Sequence, residues 1–282
     1  MVQPLPLRRA GDAAPIDVPG LPLPPGRLPL LYRGRPLKRW RYAGIYGERV
    51  MLCAAAVRIG ALAQWFWALW DREAGALVEA TRFVPGSLAV SGGRVRVRGR
   101  RTRIDLVLEP AGEPVEVCSP HGSAHIWTRK LPVRARGTVL VDGRAIDVDA
   151  RGLVDESAGY HARRTAWSWS AGVGVTADGR DVAWNLVAGV HDAAVASERT
   201  VWVDGTALEP GPVTFADDLS AVTGGDGTVL TFAAEAERAR SDDLVVVAGE
   251  YRQPLGVFTG TLPGGVALAS GLGVMERHDV RW

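Results

Sequence analysis

The chain has 282 residues, 33 Lys and Arg against 31 Asp and Glu, a formal net charge of +2 and only two cysteines. That length suits one large β architecture or two modest domains, and the near-even charge balance gives no reason to expect nucleic acid or an anionic membrane as partner. Cys53 and Cys118 stand far apart in no paired motif, which excludes a disulfide framework and fits a reducing, cytoplasmic setting.

Nine of the 18 prolines fall within residues 1–36, a density that predicts an extended arm lying on a folded body. No basic stretch followed by an unbroken apolar run occurs there, so no secretory leader is expected. From Leu37 onward, short runs rich in Val, Thr, Leu and Trp alternate with Gly-containing punctuation, the pattern of meandering antiparallel strands. Val50 to Trp70 has the length and apolarity of a membrane span, but Arg58, Gly60 and Gln64 interrupt it. Two strands, Val50–Val57 and Ala61–Trp70, followed by a turn at Asp71 to Gly75, account for the same residues, so no integral membrane segment is predicted.

Val95 and Val97 alternate with Arg94, Arg96 and Arg98. A strand with one solvated, charged face explains this, and the lack of interleaved aromatics argues against a nucleic-acid stripe. Cys118, His121 and His125 sit among Ser, Pro and Gly in an expected loop and supply only three ligands without a second cluster, so no metal site is predicted. Hairpin turns are expected at Ser91-Gly92-Gly93, Val141-Asp142-Gly143, Ala177-Asp178-Gly179, Val203-Asp204-Gly205, Gly225-Asp226-Gly227 and Pro263-Gly264-Gly265, because Gly and Asp tolerate positive φ. A boundary near Arg151 would divide the folded part into residues 37–150 and 151–282. Helix is expected to be scarce, with 233–240 as the best candidate.

The densest polar segment, Asp155 to Arg164, runs into Thr165-Ala166-Trp167-Ser168-Trp169. A strand over 163–175 places Arg163, Thr165, Trp167 and Trp169 on one face. Two indoles beside an arginine suit a pocket wall, and equally a packed core pair. Trp184-Asn185 follows on a partner strand, then Glu198 and Trp202, then Tyr251, and finally a strand carrying Glu276 and His278 on one face. Asp155, His161 and Glu276 are the candidate acid and base groups. Gly172-Val173-Gly174 leads into a hairpin and not a helix, which removes the dinucleotide and phosphate-loop readings. No Gly-x-Ser-x-Gly elbow is present.

The segments Asp155–Gly174, Trp184-Asn185-Leu186, Phe258–Leu262 and Gly271–His278 together resemble a bacterial family known only as domain of unknown function 2804. Trp127–Lys130 and the aromatic strand ending in Asp71-Arg72 extend the likeness through most of the chain after the arm. More distantly, the layout is similar to the lipocalin-like group of carotenoid hydratases and cyclase-type enzymes. That resemblance implies an all-β fold of two lipocalin-like antiparallel barrel or sandwich halves around an apolar cleft, and a hydrophobic ligand.

The resulting expectation is a pocket for a lipid-, isoprenoid- or polyketide-like molecule, where the Trp167/Trp169 strand meets Trp184, Trp202 and Tyr251. Arg163, Asn185, Glu198 and His278 complete the expected binding set. Asp155, His161 or Glu276 would move protons to hydrate, isomerise or cyclise the ligand, with no redox cofactor. A non-catalytic carrier built from the same residues is the first alternative. A glycan-binding or glycoside-hydrolysing protein, needing an open cleft and two spaced carboxylates, is the second.

Overall fold

The computed structural model describes residues 5–11, 15–84, 86, 88–91, 93–243 and 248–282. Among these residues there is no helix, and none long and apolar enough to cross a membrane. The arm carries β1 (Leu7–Ala10) and a small hairpin, β2 (Leu31–Tyr32) with β3 (Arg35–Pro36). The first half then runs β4 (Lys38–Tyr46), β5 (Val50–Ile59), β6 (Leu62–Asp71), β7 (Ala76–Arg82), β8 (Leu88–Ser91), β9 (Arg94–Arg98), β10 (Thr102–Pro110), β11 (Val115–His121), β12 (Ala124–Val141) and β13 (Arg144–Gly159). The second half comprises β14 (Arg164–Thr176), β15 (Asp181–Ala188), β16 (Thr200–Val203), β17 (Thr206–Leu208), β18 (Val213–Phe215), β19 (Ala221–Gly224), β20 (Val229–Asp243), β21 (Ala248–Leu262) and β22 (Val266–Arg281).

Two antiparallel sheets result. The first follows the order β7-β6-β5-β4-β13-β12-β10-β9-β8, with β11 pairing the start of β12 and β1 pairing β11. The second follows β17-β16-β15-β14-β22-β21-β20-β19-β18. Turn chemistry sets the long β12–β13 hairpin: Asp142 and Gly143 take φ of 49° and 85°, the paired positive values of a two-residue turn matched to strand twist. Asp204 and Gly205, at 48° and 80°, repeat the device between β16 and β17. The expected turn at Ser91-Gly92-Gly93 involves Gly92, which lies outside the described residues.

Period-two alternation distributes the side chains. In the first half Ala43, Ile45, Leu52, Ala54, Leu69 and Val154 face a core that the curled sheet encloses by itself, with β8 reaching across to β5. Trp184, Leu186, Leu230, Phe258 and Met275 belong to the equivalent core of the second half. The opposite faces meet: Tyr42, Met51, Cys53 and Ala55 from the first sheet pack on Trp169, Ala171, Leu255, Leu272 and Val274 from the second.

Several expectations are corrected. Residues 233–240 form part of β20, where pairing to β21, with a bulge between Ala234 and Ala236, overrides the helix-favouring composition. The boundary near Arg151 falls inside β13, which continues to Gly159; the chain changes sheets across 160–163. Cys118 and His121 lie on β11 and His125 on β12, in a hairpin and not a loop. The apolar stretch after Val50, by contrast, is the pair of strands expected there, β5 and β6, paired from Val50↔Asp71 to Ile59↔Leu62.

Candidate functional site

The meeting faces of the two sheets leave a cavity of about 120 Å³, close to the size of one that holds a single benzene ring. Its walls are aromatic: Trp40 and Tyr42 from β4, Phe66 from β6, Trp167 and Trp169 from β14, Tyr251 from β21, and Trp282. Trp40 and Trp167 lie nearly parallel across it, 13° apart with centroids 6.3 Å apart. Tyr42 meets Trp169 edge-on at 5.4 Å, a pairing worth about 1 kcal/mol beyond burial.

Three carboxyl groups line this apolar space. Glu276, 8 % exposed, is placed by β22 directly opposite Trp169, with His278 opposite Trp167. Its Oε1 accepts from Trp167 Nε1 at 2.8 Å and its Oε2 from Gln253 Nε2 at 2.9 Å. Burial pushes the Glu276 carboxyl up to about 7; the indole hydrogen bond opposes the shift and the Asp155 charge adds to it. Asp155 and Glu198 share one ammonium, Lys130 Nζ lying 2.6 Å from Asp155 Oδ2 and 3.3 Å from Glu198 Oε1. Burial raises Asp155 above the usual carboxylate range, against the pull of Lys130, while its Oδ1 has no hydrogen-bond partner. For Lys130 burial works the other way, but the two carboxylates together outweigh it and its affinity for the proton rises. Asn185 holds the arrangement from behind: its Oδ1 accepts from Trp169 Nε1 at 2.7 Å and its Nδ2 donates to the Glu198 carbonyl at 2.9 Å.

Imidazoles occupy another part of the wall. His161, in the connection between the sheets, is 2 % exposed and packs against Trp40 with the rings tilted by 45° and centroids 4.8 Å apart; neither ring nitrogen has a partner among the described residues. Burial, then the Lys38 charge, holds it well below the ordinary imidazole value. His191 Nδ1 lies 3.0 Å from Ser119 Oγ, and burial followed by the Lys130 charge lowers its pKa to about 3. Both rings are therefore neutral at physiological pH. His278 lies at 4.5 Å from Trp167 and 5.3 Å from Tyr251.

Of the residues expected from sequence, Asp155, His161, Glu276, Trp167, Trp169, Glu198, Tyr251 and His278 come together around the cavity. Others lie elsewhere. Arg163 is exposed in the inter-sheet connection, where the chain has left the strand. Trp184 points through β15 to the opposite face, donating to Ser170 Oγ at 3.1 Å and packing on Phe258. Trp202 lies on the face that meets the first sheet but away from the cavity, donating to the Glu113 carbonyl at 2.8 Å. Lys130, Trp40, Tyr42, Phe66, His191 and Trp282 were not anticipated. Counting outward from the Asp142-Gly143 turn pairs Lys130 with Asp155 in an unbroken register, so that ion pair was legible once the turn was trusted.

Among solved structures, the chain superposes on that of an AttH protein from Nitrosomonas europaea with a TM-score of 0.53 and 13 % identity, covering 92 % of this chain and 98 % of that one. Kievitone hydratase from Nectria haematococca gives a TM-score of 0.52 at 10 % identity, covering 87 % of this chain and 88 % of that one. At such identities the likeness is one of fold, an all-β arrangement of lipocalin-like antiparallel halves. No curated protein sequence matches the chain. The residues from 87 to 282, which include all of β22 with Glu276, match the pattern of domain of unknown function DUF2804, and the chain belongs to that family.

Proposed function

We propose that the cavity between the sheets binds a ring- or polyene-bearing apolar molecule and that Glu276 transfers a proton to or from it, in a hydration, isomerisation or cyclisation that needs no redox cofactor. The observation that carries this reading is a buried carboxyl with a pKa of about 7, fixed by two N–H donors on an aromatic wall. A group titrating near the working pH serves as both acid and base. Positive charge developing on a protonated alkene would lie among the Trp167 and Trp169 rings and the Asp155 and Glu198 carboxylates, each of which attracts it. The hydratase among the similar folds supports the reading only by analogy.

The test begins with organic extraction of natively purified protein and mass spectrometry of what it retains. An apolar compound in stoichiometric amount is expected, and its conversion should fall at least a hundredfold in Glu276→Gln with retention unchanged. Retention without turnover in either form would make the protein a carrier. A ligand-free protein that binds oligosaccharides would overturn the pocket reading.

A further inference from the structure

The two buried lysines of the site region differ in a way the proton-transfer reading leaves unused. Lys130 is neutralised by two carboxylates. Lys38, on β4 and 1 % exposed, has no carboxylate partner among the described residues. Its Nζ donates to the His161 carbonyl at 3.3 Å and lies 5.1 Å from the Trp282 ring, which leaves two of its three N–H groups without an acceptor among the described residues. The nearest further charge has the same sign: Arg35 Nη1 donates to the carbonyls of His121 at 2.7 Å and Tyr160 at 3.2 Å.

Around this ammonium the imidazoles are also unsatisfied. Both nitrogens of His161, Nε2 of His121 and Nε2 of His191 are buried without partners, and the His121 and His161 rings stand 5.7 Å apart. His161, His191 and Trp282 line the cavity, while Lys38 and His121 back them. An uncompensated buried charge is strongly destabilising. Water in the cavity could accept from the imidazole N–H groups but would leave the Lys38 charge uncompensated; an oxyanion accepts from them and also offsets that charge from a short distance.

We propose that the histidine end of the cavity, backed by Lys38, binds a carboxylate, so that the ligand is an apolar carboxylic acid. The inference rests on the pocket reading and names its ligand class. The carboxylate sits at His161 and His191, and the apolar body extends along the wall formed by Trp40, Trp167 and Trp169 toward Glu276. The reacting carbon is then fixed at a set distance from the acid group.

Calorimetric titration with trans-cinnamate and with its uncharged methyl ester tests this. Wild type is expected to bind the acid at least tenfold more tightly than the ester at neutral pH. Lys38→Met should remove that preference while leaving ester affinity within about twofold, and Lys38→Arg should keep it. The wild type alone supplies a second measurement, needed if Lys38→Met does not fold. Burial, with Arg35, lowers Lys38 to about 8, and His121, His161 and Arg35 are the titratable groups around it, with no acid among them. The advantage of the acid should therefore shrink as pH rises from about 7 to about 9. Equal binding of acid and ester by wild type, or an unchanged preference in Lys38→Met, would overturn the carboxylate site and leave the pocket standing. Failure of both probes to bind would overturn the pocket as well.

Discussion

Glu276 carries a hydrogen-bonded carboxyl in a place where ionisation is costly, and its linkage to stability has a definite sign. In the unfolded chain it titrates in the ordinary carboxylate range, in the fold at about 7. The folded state thus holds the proton more tightly, a stabilisation complete below the ordinary range and lost as pH rises through 7, amounting to at most about 3 kcal/mol. Glu276→Gln cannot ionise, so its unfolding free energy relative to wild type should rise between about pH 5 and about pH 8 by up to that amount in denaturant titrations. A difference independent of pH would show that the carboxyl is not so perturbed. His161 and His191 act in the opposite sense, since their depressed values give stability that is present above the ordinary imidazole range and lost as pH falls. Lys130→Met leaves Asp155 and Glu198 buried without a counter-charge and should cost about 3–5 kcal/mol, read as a lowered denaturation midpoint. The sequence exposed the acids of this cluster through their polar neighbourhood. Lys130 was legible only through the register of the Asp142-Gly143 hairpin, because a lysine in a β pattern taken alone normally marks the solvated face.

At the scale of the strand, alternation decided which aromatic residues belong to the cavity. Trp167 and Trp169 were legible from the period of β14, whereas Trp184 was misplaced because a strand's side is not fixed until its partners are known. Gly172 shows how tightly the other face is packed: a Cβ there would meet the Trp184 ring and the Leu272 carbonyl, 2.7 Å away. Gly172→Ala should therefore destabilise by about 1–3 kcal/mol through overpacking. Gly211→Ala, where a Cβ meets nothing within 4 Å, should change the unfolding free energy by less than about 0.5 kcal/mol. The β20 segment illustrates the limit of local composition: Ala, Glu and Arg over 233–240 favour helix, but pairing along β21 supplies hydrogen bonds that propensity cannot match.

Across the whole molecule, the arm joins what the connection at 160–163 leaves as separate sheets. β1 covers the edge of β11, and Arg8 reaches the second half, donating to Glu209 Oε2 at 3.1 Å and Thr200 Oγ1 at 3.2 Å. Deleting residues 1–11 should cost about 1–3 kcal/mol, read as a lower Tm by calorimetry, and bare the β11 edge. The density of prolines identified an arm, but no local pattern revealed that part of it is a strand, since its partner lies more than a hundred residues away. The position of β22 has a consequence for biosynthesis. It lies between β14 and β21, yet it leaves the ribosome some 90 residues after β14, a delay of roughly 5–20 s at ordinary translation rates. During that interval the edge of β14 that β22 will pair stays open, beside the face that carries Trp167 and Trp169. The cavity itself comes into being only when the strand bearing Glu276 has emerged.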